Sequence, residues 1–302
     1  MTHNAPLHFE KLAGGMTVTE GPVWDGQALL FSDIVACRIM RYDPESGQCT
    51  VYRTDTHHAN GLRMDAEGRI YACEGSGRRI TRYEKDGSVT VLADRFEGKR
   101  FNGPNDIAID SKGRIWFSDP RYEAAPVYGA NPGPLELDHQ SVFRLDPTAG
   151  GAYAIQRVTF DTTKPNGLLL SPDEKTLYVA QSDYAEGSLR QLRAYPIKSD
   201  GTLGQHAVLH DFTPHRGIDG MKLDSDGNIV ATAGFKKSGP GPMVYVFAPD
   251  GTVLEANPFP EDGPTNCTFG DAGLQTLYVT NMGGSLYRAR TQRKAIIAAG
   301  IR

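Results

Sequence analysis

The sequence lacks the charge pattern and the long apolar runs of proteins that bind nucleic acid or membranes. Its 32 basic and 36 acidic residues are interspersed and leave a formal net charge of −4, so no basic stripe is available for phosphates or anionic lipid. No apolar run approaches the about 18 residues of a membrane span, and residues 1–18 contain no basic or apolar leader pattern. We therefore expect a cytoplasmic protein with neither nucleic-acid nor membrane partners.

Cysteine is also scarce, and two common enzyme motifs are missing. The sequence has no CxxC pair and no histidines at zinc-finger spacing, which argues against structural zinc. It has no GxSxG elbow and no evident Ser/His/Asp arrangement, so a serine hydrolase is not indicated. We expect free thiols, although the first two cysteines could face each other across a hairpin. The four cysteines are Cys37, Cys49, Cys73 and Cys267.

A sixfold internal repeat is the strongest positive feature. Each copy has a polar residue, a short apolar strand, a turn and a second strand. Period-two alternation, as in Ile107, Ile109, Ile115 and Phe117, predicts strands, and the turns DAEG, DSKG and DSDG are typical of hairpins. No long segment has helical periodicity, which disfavours alternating β/α architecture. The copies begin at Glu20, Asn60, Asn105, Asn166, Asp219 and Asn266.

A second hairpin follows each copy, so the pattern predicts an all-β, six-bladed β-propeller with four antiparallel strands per blade. We expect one domain spanning residues 1–302. Only three strands remain after Asn266, so the N-terminal stretch from His8 to Val18 is expected to supply the fourth and close the ring. Residues 119–140 have no periodicity and form a predicted loop insertion, either a lid over one face or a simple surface excursion.

The residues that open the six copies share one chemical character. The first strand of every propeller blade lines the axis, so equivalent positions form a ring around the channel. Any one of these carboxylate or amide side chains could merely cap a turn, but six together favour a binding function. Oxygen ligands without thiolate or imidazole suit one Ca²⁺ ion, with Mg²⁺, Mn²⁺ or Zn²⁺ as substitutes.

Several longer motifs carry a family resemblance. They are EGPVW at Glu20, LADRFEGKRFNGPNDIAID through Asn105, KPNGLLLSPD around Asn166, GIDGMKLDSDGN around Asp219 and PTNCTFG around Asn266. With them the chain resembles, over nearly its whole length, the family of gluconolactonase, regucalcin (senescence marker protein) and luciferin-regenerating enzyme. The resemblance implies a divalent cation held by Glu20, Asn105, Asn166 and Asp219, with Asn60 and Asn266 as structural or supporting members of the ring.

The resemblance also implies an activity: opening of a small lactone, most of all a sugar lactone such as glucono-1,5-lactone. A bound cation would polarise the carbonyl and lower the pKa of a nearby water, which requires no nucleophilic side chain. Asp219 is then the candidate general base, unless it serves only as a ligand. The protein would act on its small-molecule substrate as a monomer or dimer.

Substrate contacts are predicted near the channel mouth. Asn105 belongs to the ring, Arg121 and Tyr122 begin the insertion, and His139 closes it. His215 and Arg216 precede Asp219, and each of these loop residues could instead be simply exposed. Animal regucalcin-like members carry an arginine two positions before the asparagine that matches Asn105. Gly103 occupies that position here, so sugar recognition by that arginine is absent and the preferred lactone stays open.

Two alternative functions remain. An organophosphate or aryl-ester hydrolase of the diisopropylfluorophosphatase and paraoxonase type would use the same scaffold and similar calcium ligands. A non-catalytic propeller that binds a protein partner or stores calcium belongs to a different class, and would not depend on Asp219 for any activity.

Overall fold

The computed structural model describes residues 6–122 and 133–295, and these form six four-stranded antiparallel sheets and one short two-stranded hairpin. The middle of the predicted insertion, residues 123–132, lies outside the described residues. Among the described residues, no helix has the length and apolar character that crossing a membrane would require.

Each sheet is one blade. The innermost strands are β2 (Thr19–Trp24), β6 (Ala59–Met64), β12 (Ile107–Ile109), β16 (Pro165–Leu170), β20 (Ile218–Leu223) and β24 (Pro264–Gly270). The second strands are β3 (Leu29–Asp33), β7 (Ile70–Glu74), β13 (Ile115–Ser118), β17 (Thr176–Ser182), β21 (Ile229–Phe235) and β25 (Thr276–Asn281). The third strands are β4 (Arg38–Tyr42), β8 (Arg79–Tyr83), β14 (Val142–Pro147), β18 (Arg190–Pro196), β22 (Ser238–Phe247) and β26 (Leu286–Arg290). The outermost strands are β5 (Cys49–Thr54), β9 (Val89–Ala93), β15 (Tyr153–Arg157), β19 (Ala207–Asp211), β23 (Val253–Pro258) and β1 (Glu10–Ala13). The extra hairpin joins β10 (Arg95–Phe96) to β11 (Lys99–Arg100), and a 3-10 turn spans Ala272–Leu274.

Ring closure depends on the N-terminal strand. β1 pairs antiparallel with β26, with Glu10 opposite Arg288 and Lys11 opposite Tyr287. The six innermost strands contact one another in sequence, and β24 returns to contact β2. The predicted all-β, six-bladed propeller closed by an N-terminal strand is therefore confirmed, although the closing strand is shorter than the predicted stretch from His8 to Val18.

Burial explains why the inner three strands of a blade are apolar and the outer one is not. Between the second and third blades, Phe101, Phe117 and Phe143 pack with ring centroids 5.1–5.6 Å apart. On outermost strands, by contrast, Val51 and Tyr52 are about half exposed. The four cysteines are free thiols, as predicted.

A β-bulge follows the ring position in five of the six blades. The register between innermost and second strand shifts at residues 20–23, 59–62, 165–168, 218–221 and 264–267. In the third blade, Asn105 precedes β12, and its backbone N donates to the Ser118 carbonyl at 2.9 Å. Bulges redirect side chains beside functional sites, and here they lie where the repeat places its oxygen-bearing residues.

Glycine after the ring residue allows neighbouring blades to approach closely. A Cβ added at Gly167 would lie 2.3 Å from the backbone oxygen of Asp219 in the next blade. At Gly220 it would lie 2.1 Å from the Asn266 side chain. Hydroxyls reinforce these contacts, because Ser32 Oγ donates to the Asn60 carbonyl at 2.8 Å and Thr232 Oγ1 to the Thr265 carbonyl at 2.7 Å.

Replacing Gly167 by alanine should lower the free energy of unfolding by about 1–3 kcal/mol, because overpacking here pushes against backbone. Urea unfolding measures the change. Gly150→Ala is the control, since nothing lies within 4 Å of a Cβ there, and its effect should stay within about 0.5 kcal/mol. Equal effects of the two substitutions would show that close packing at the ring does not limit stability.

Candidate active site

The four predicted metal ligands, Glu20, Asn105, Asn166 and Asp219, are all buried at equivalent positions of four blades. Glu20 accepts hydrogen bonds from the backbone N of Gly21 at 2.5 Å and from Asn266 Nδ2 at 3.0 Å. Asp219 accepts from the Asn166 amide and, through Oδ2, from Arg216 Nη2 at 2.5 Å. Side chains from neighbouring blades are thus in contact, Asn266 with Glu20 and Asn166 with Asp219, and the charges of Glu20 and Asp219 act on each other, whereas the role of Asn105 stays a prediction.

The hydrogen bonds of Asn166 and Asn266 show which of their side-chain oxygens could bind a cation and which already accepts a hydrogen bond. Asn166 Nδ2 donates to Tyr122 Oη at 3.0 Å, and the same amide also bonds Asp219. Because an amide donates only through its nitrogen, these bonds leave Oδ1 of Asn166 available. Asn266 differs, since its Oδ1 accepts from the Cys267 backbone N at 2.9 Å. Asn166 can therefore offer an oxygen to a cation, whereas Asn266 acts on Glu20.

Asn60 has an available oxygen as well. Its Oδ1 is buried and has no hydrogen-bond partner among the described residues. A buried polar atom without a partner costs free energy, so such an atom in a native structure points to a missing ion or water. Sequence reasoning gave Asn60 a supporting place in the ring, and its unpartnered oxygen is consistent with a role in binding an ion or water there.

Burial and like charges raise the pKa values of the channel carboxylates. The pKa of Glu20 lies well above its usual value because the group is desolvated and faces the charges of Asp219 and Asp106. Burial raises the pKa of Asp219 to about 6, although the Arg216 guanidinium and the Asn166 amide favour the ionised form. A cation between these groups would favour ionisation of both.

The donor set fits a hard cation. Carboxylate and amide oxygens are the ligands that Ca²⁺ prefers, and the two carboxylates, Glu20 and Asp219, match its charge. Among the described residues, no three His, Cys, Asp or Glu side chains gather in a way that could hold a metal. The predicted set is of another kind, because half of its members are asparagines.

The predicted substrate residues occupy different surroundings. Tyr122 lies beside the ring, and its hydroxyl also contacts the Ser182 carbonyl at 3.3 Å. Arg121 is buried, and its guanidinium donates to the carbonyls of Asn102, at 2.9 Å, and Gly133. His139 is half-buried, with Nδ1 2.7 Å from Ser141 Oγ. The exposed His215 has Nδ1 3.5 Å from Ser238 Oγ.

Arg216 is committed to groups of the chain itself. Besides Asp219, it donates to the carbonyls of Pro264 at 3.0 Å and Gly234 at 3.2 Å. Its guanidinium also lies 4.6 Å from the ring centroid of Phe235. This arrangement orients Asp219, and a contact between Arg216 and substrate stays a prediction.

An aromatic wall lies beside the ring, and sequence reasoning predicted only one of its three members, Tyr122, and missed Tyr184 and Phe235. The ring centroids of Tyr122 and Tyr184 are 5.7 Å apart, and those of Tyr184 and Phe235 are 6.3 Å apart. These residues end a second strand or follow one within a few residues, in three successive blades. Antiparallel pairing brings that end of a second strand beside the ring residues, so aromatics just after second strands were the signal that could have identified the wall.

The family assignment rests on a match over most of the chain. A profile described as the SMP-30/gluconolactonase/LRE-like region matches residues 18–283. The chain belongs to the SMP-30/gluconolactonase/LRE-like family.

Relatives of this family member include named lactonases. A gluconolactonase of Zymomonas mobilis is 31% identical, with 94% of this chain and 81% of the relative covered. The solved structure of a gluconolactonase from Xanthomonas campestris is 35% identical, with a TM-score of 0.81 over 94% of this chain and 89% of that one. A regucalcin structure from Agrobacterium tumefaciens shares the fold, with 18% identity and a TM-score of 0.73 over 97% and 95% of the two chains.

Proposed function

We propose that this protein hydrolyses small lactones, sugar lactones such as glucono-1,5-lactone above all, with one divalent cation, Ca²⁺ in the first place. The observation that carries the proposal is the meeting of Glu20, Asn166, Asp219 and Arg216 at one end of the channel. Membership of a family whose 31–35% identical relatives are named gluconolactonases supports the reaction class.

Glu20, Asn105, Asn166 and Asp219 would hold the cation, and Asn60 adds a further available oxygen. When bound, the cation supplies Lewis-acid stabilisation of the charge that develops on the lactone carbonyl oxygen. With a pKa of about 6, Asp219 is mostly ionised at neutral pH and can accept a proton. Arg216 holds that carboxylate in place through its 2.5 Å contact.

In the proposed reaction Asp219 removes a proton from water as the water oxygen bonds to the carbonyl carbon. The bond between that carbon and the ring oxygen then breaks, and the ring oxygen receives the proton from Asp219. The product is an open-chain hydroxy acid. Tyr122, Tyr184 and Phe235 would contact the substrate ring and limit the access of bulk water.

The substrate class can be tested by pH-stat titration with glucono-1,5-lactone, an aryl ester and a fluorophosphate, each corrected for spontaneous hydrolysis. We expect kcat/KM to be highest for the lactone and to require added calcium. Fast fluorophosphate cleavage without lactone turnover would favour the organophosphate hydrolase instead. No turnover of any substrate would favour a non-catalytic binding protein.

Replacing Tyr122 by phenylalanine should weaken calcium binding by about 10–100-fold, the usual effect of losing a group that orients a metal ligand. The hydroxyl bridges Asn166 Nδ2 and the Ser182 carbonyl, so its loss leaves the amide oriented by Asp219 alone. Isothermal titration calorimetry measures the affinity. Tyr52→Phe is the matched control, because Tyr52 is half exposed on an outer strand. Equal affinities of both variants would exclude this role for Tyr122.

A further inference from the structure

A cavity of about 810 Å³ opens at the other end of the channel, away from the ring. Its lining includes Arg63 and Lys222, each three residues beyond a ring member on the same innermost strand. Three residues of strand span about 10 Å, so the cavity is separate from the proposed active site. We propose that this cavity binds a small organic carboxylate with an apolar body, held through Arg63 and Lys222.

Two cations face this cavity without a carboxylate partner. Arg63 is 7% exposed, and its one hydrogen bond among the described residues runs from Nη1 to the Leu62 carbonyl at 2.9 Å. Neither Arg63 nor Lys222 forms an ion pair within 4.0 Å among those residues. A buried guanidinium normally has a paired anion, and among the described residues Arg63 has none in direct contact, while Lys222 is half-buried beside it.

The acidic residues at the cavity rim are occupied elsewhere. Asp173 accepts from Ser171 Oγ at 2.7 Å, and Glu174 accepts from Ser111 Oγ at 2.7 Å. Asp271 accepts from Tyr278 Oη at 2.6 Å and lies 3.7 Å from Arg290. None of them neutralises the two cations by direct contact.

The negative charge of Asp106 interacts electrostatically with both Arg63 and Lys222. Its oxygens accept from backbone N atoms, Oδ1 from Ile107 at 2.8 Å and Oδ2 from Leu168 at 3.4 Å. Asp106 forms no ion pair within 4.0 Å with Arg63 or Lys222, so the carboxylate of a ligand could contact both side chains directly. Burial and the Arg63 charge lower the pKa of Lys222 to about 7, a cost that an anionic ligand would offset.

The rest of the lining defines the body of the ligand. Apolar side chains contribute much of the wall, namely Trp24, Leu169, Leu223, Phe269 and Leu274. A cavity of this size that combines apolar walls with a few convergent polar groups is typical of small-molecule sites. An aliphatic or aromatic monocarboxylate matches both parts, whereas a polyhydroxylated acid would leave its hydroxyls against apolar carbon.

Cyclohexanecarboxylate, which does not absorb near 280 nm, is the probe, and cyclohexylmethanol is its uncharged counterpart. Calorimetry with the full chain should show saturable, one-to-one binding of the carboxylate and at least about 10-fold weaker binding of the alcohol, the loss expected for a charge-assisted hydrogen bond. Fluorescence of Trp24 should change during the titration. Equal binding of acid and alcohol would overturn the proposal, and so would a failure of the acid to saturate.

Substitutions of Lys222 and Arg63 test whether these two side chains bind the carboxylate. Lys222→Met should retain the thermal stability of the protein, because it removes a half-buried charge that has no ion pair among the described residues, and should weaken carboxylate binding at least about 10-fold. Arg63→Gln should have a similar effect on binding, and the exposed Lys112→Gln should have none. Unchanged binding to folded Lys222→Met would refute the site. Gluconate should displace bound cyclohexanecarboxylate only weakly, whatever its binding as a product at the active site, and displacement as effective as that by a second apolar carboxylate would refute the ligand class.

Discussion

Replacing Asp219 by asparagine should lower kcat for lactone hydrolysis by about 10²–10⁴-fold, the range for loss of a general base. The substitution keeps the shape of the side chain and an oxygen that can accept from Arg216, but it removes the proposed proton acceptor and one of the two carboxylates proposed to hold the cation. Initial rates of glucono-1,5-lactone hydrolysis in the pH-stat measure the loss.

Asp226→Asn is the matched control, because it makes the same charge change at an exposed turn of the same blade. Its activity should equal that of the unaltered protein. Calcium titration of the Asp219 variant then separates the two roles of this residue. If Asp219 is the base, kcat stays low at saturating calcium. If it serves only as a ligand, excess calcium restores kcat. Activity of Asp219→Asn within about threefold of the unaltered protein would contradict the mechanism, since even the low end of a general-base effect is larger.

Removing divalent cations with a strong chelator should abolish lactone hydrolysis and lower the melting temperature by several degrees. A ligand at 100 times its Kd stabilises the native state by about 2.7 kcal/mol, and that contribution is lost with the ion. Calcium should restore both activity and melting temperature, and magnesium should do so at higher concentration. Differential scanning calorimetry and the pH-stat provide the two readouts.

The Asp219→Asn variant is the control for the chelator experiment, because its melting temperature should respond only weakly to removal of the ion. Unaltered protein that hydrolyses lactones at full rate in excess chelator would exclude a metal-dependent reaction. A chelator effect of equal size on the melting temperature of Asp219→Asn would place the stabilising ion elsewhere.

The blades could be predicted from sequence because each blade, the closing strand β1 apart, is built from strands that are neighbours in the sequence. Alternating strands and Asp/Gly turns specify a hairpin within about 15 residues, and six copies specify the ring. The equivalent polar positions Glu20, Asn105, Asn166 and Asp219 followed from the same register. The bulges beside them could not be predicted, because a shift in register depends on how two strands pair.

Side-chain direction in the loops was harder to predict. Arg121 was placed at the channel mouth from its position after a strand, but its guanidinium binds the carbonyls of Asn102 and Gly133. Tyr184 and Phe235 come from different blades and adjoin only after the ring closes. Arg63 and Lys222 were missed for the same reason, because they too come from different blades and adjoin only in the closed ring.

Anomalous X-ray diffraction from crystals soaked in manganese or calcium tests the central claim most directly. The account predicts one strong anomalous peak on the channel axis, within about 2.3–2.6 Å of oxygens from Glu20, Asn105, Asn166 and Asp219 for calcium. A channel without a peak, or a peak beyond the reach of these four side chains, would contradict it.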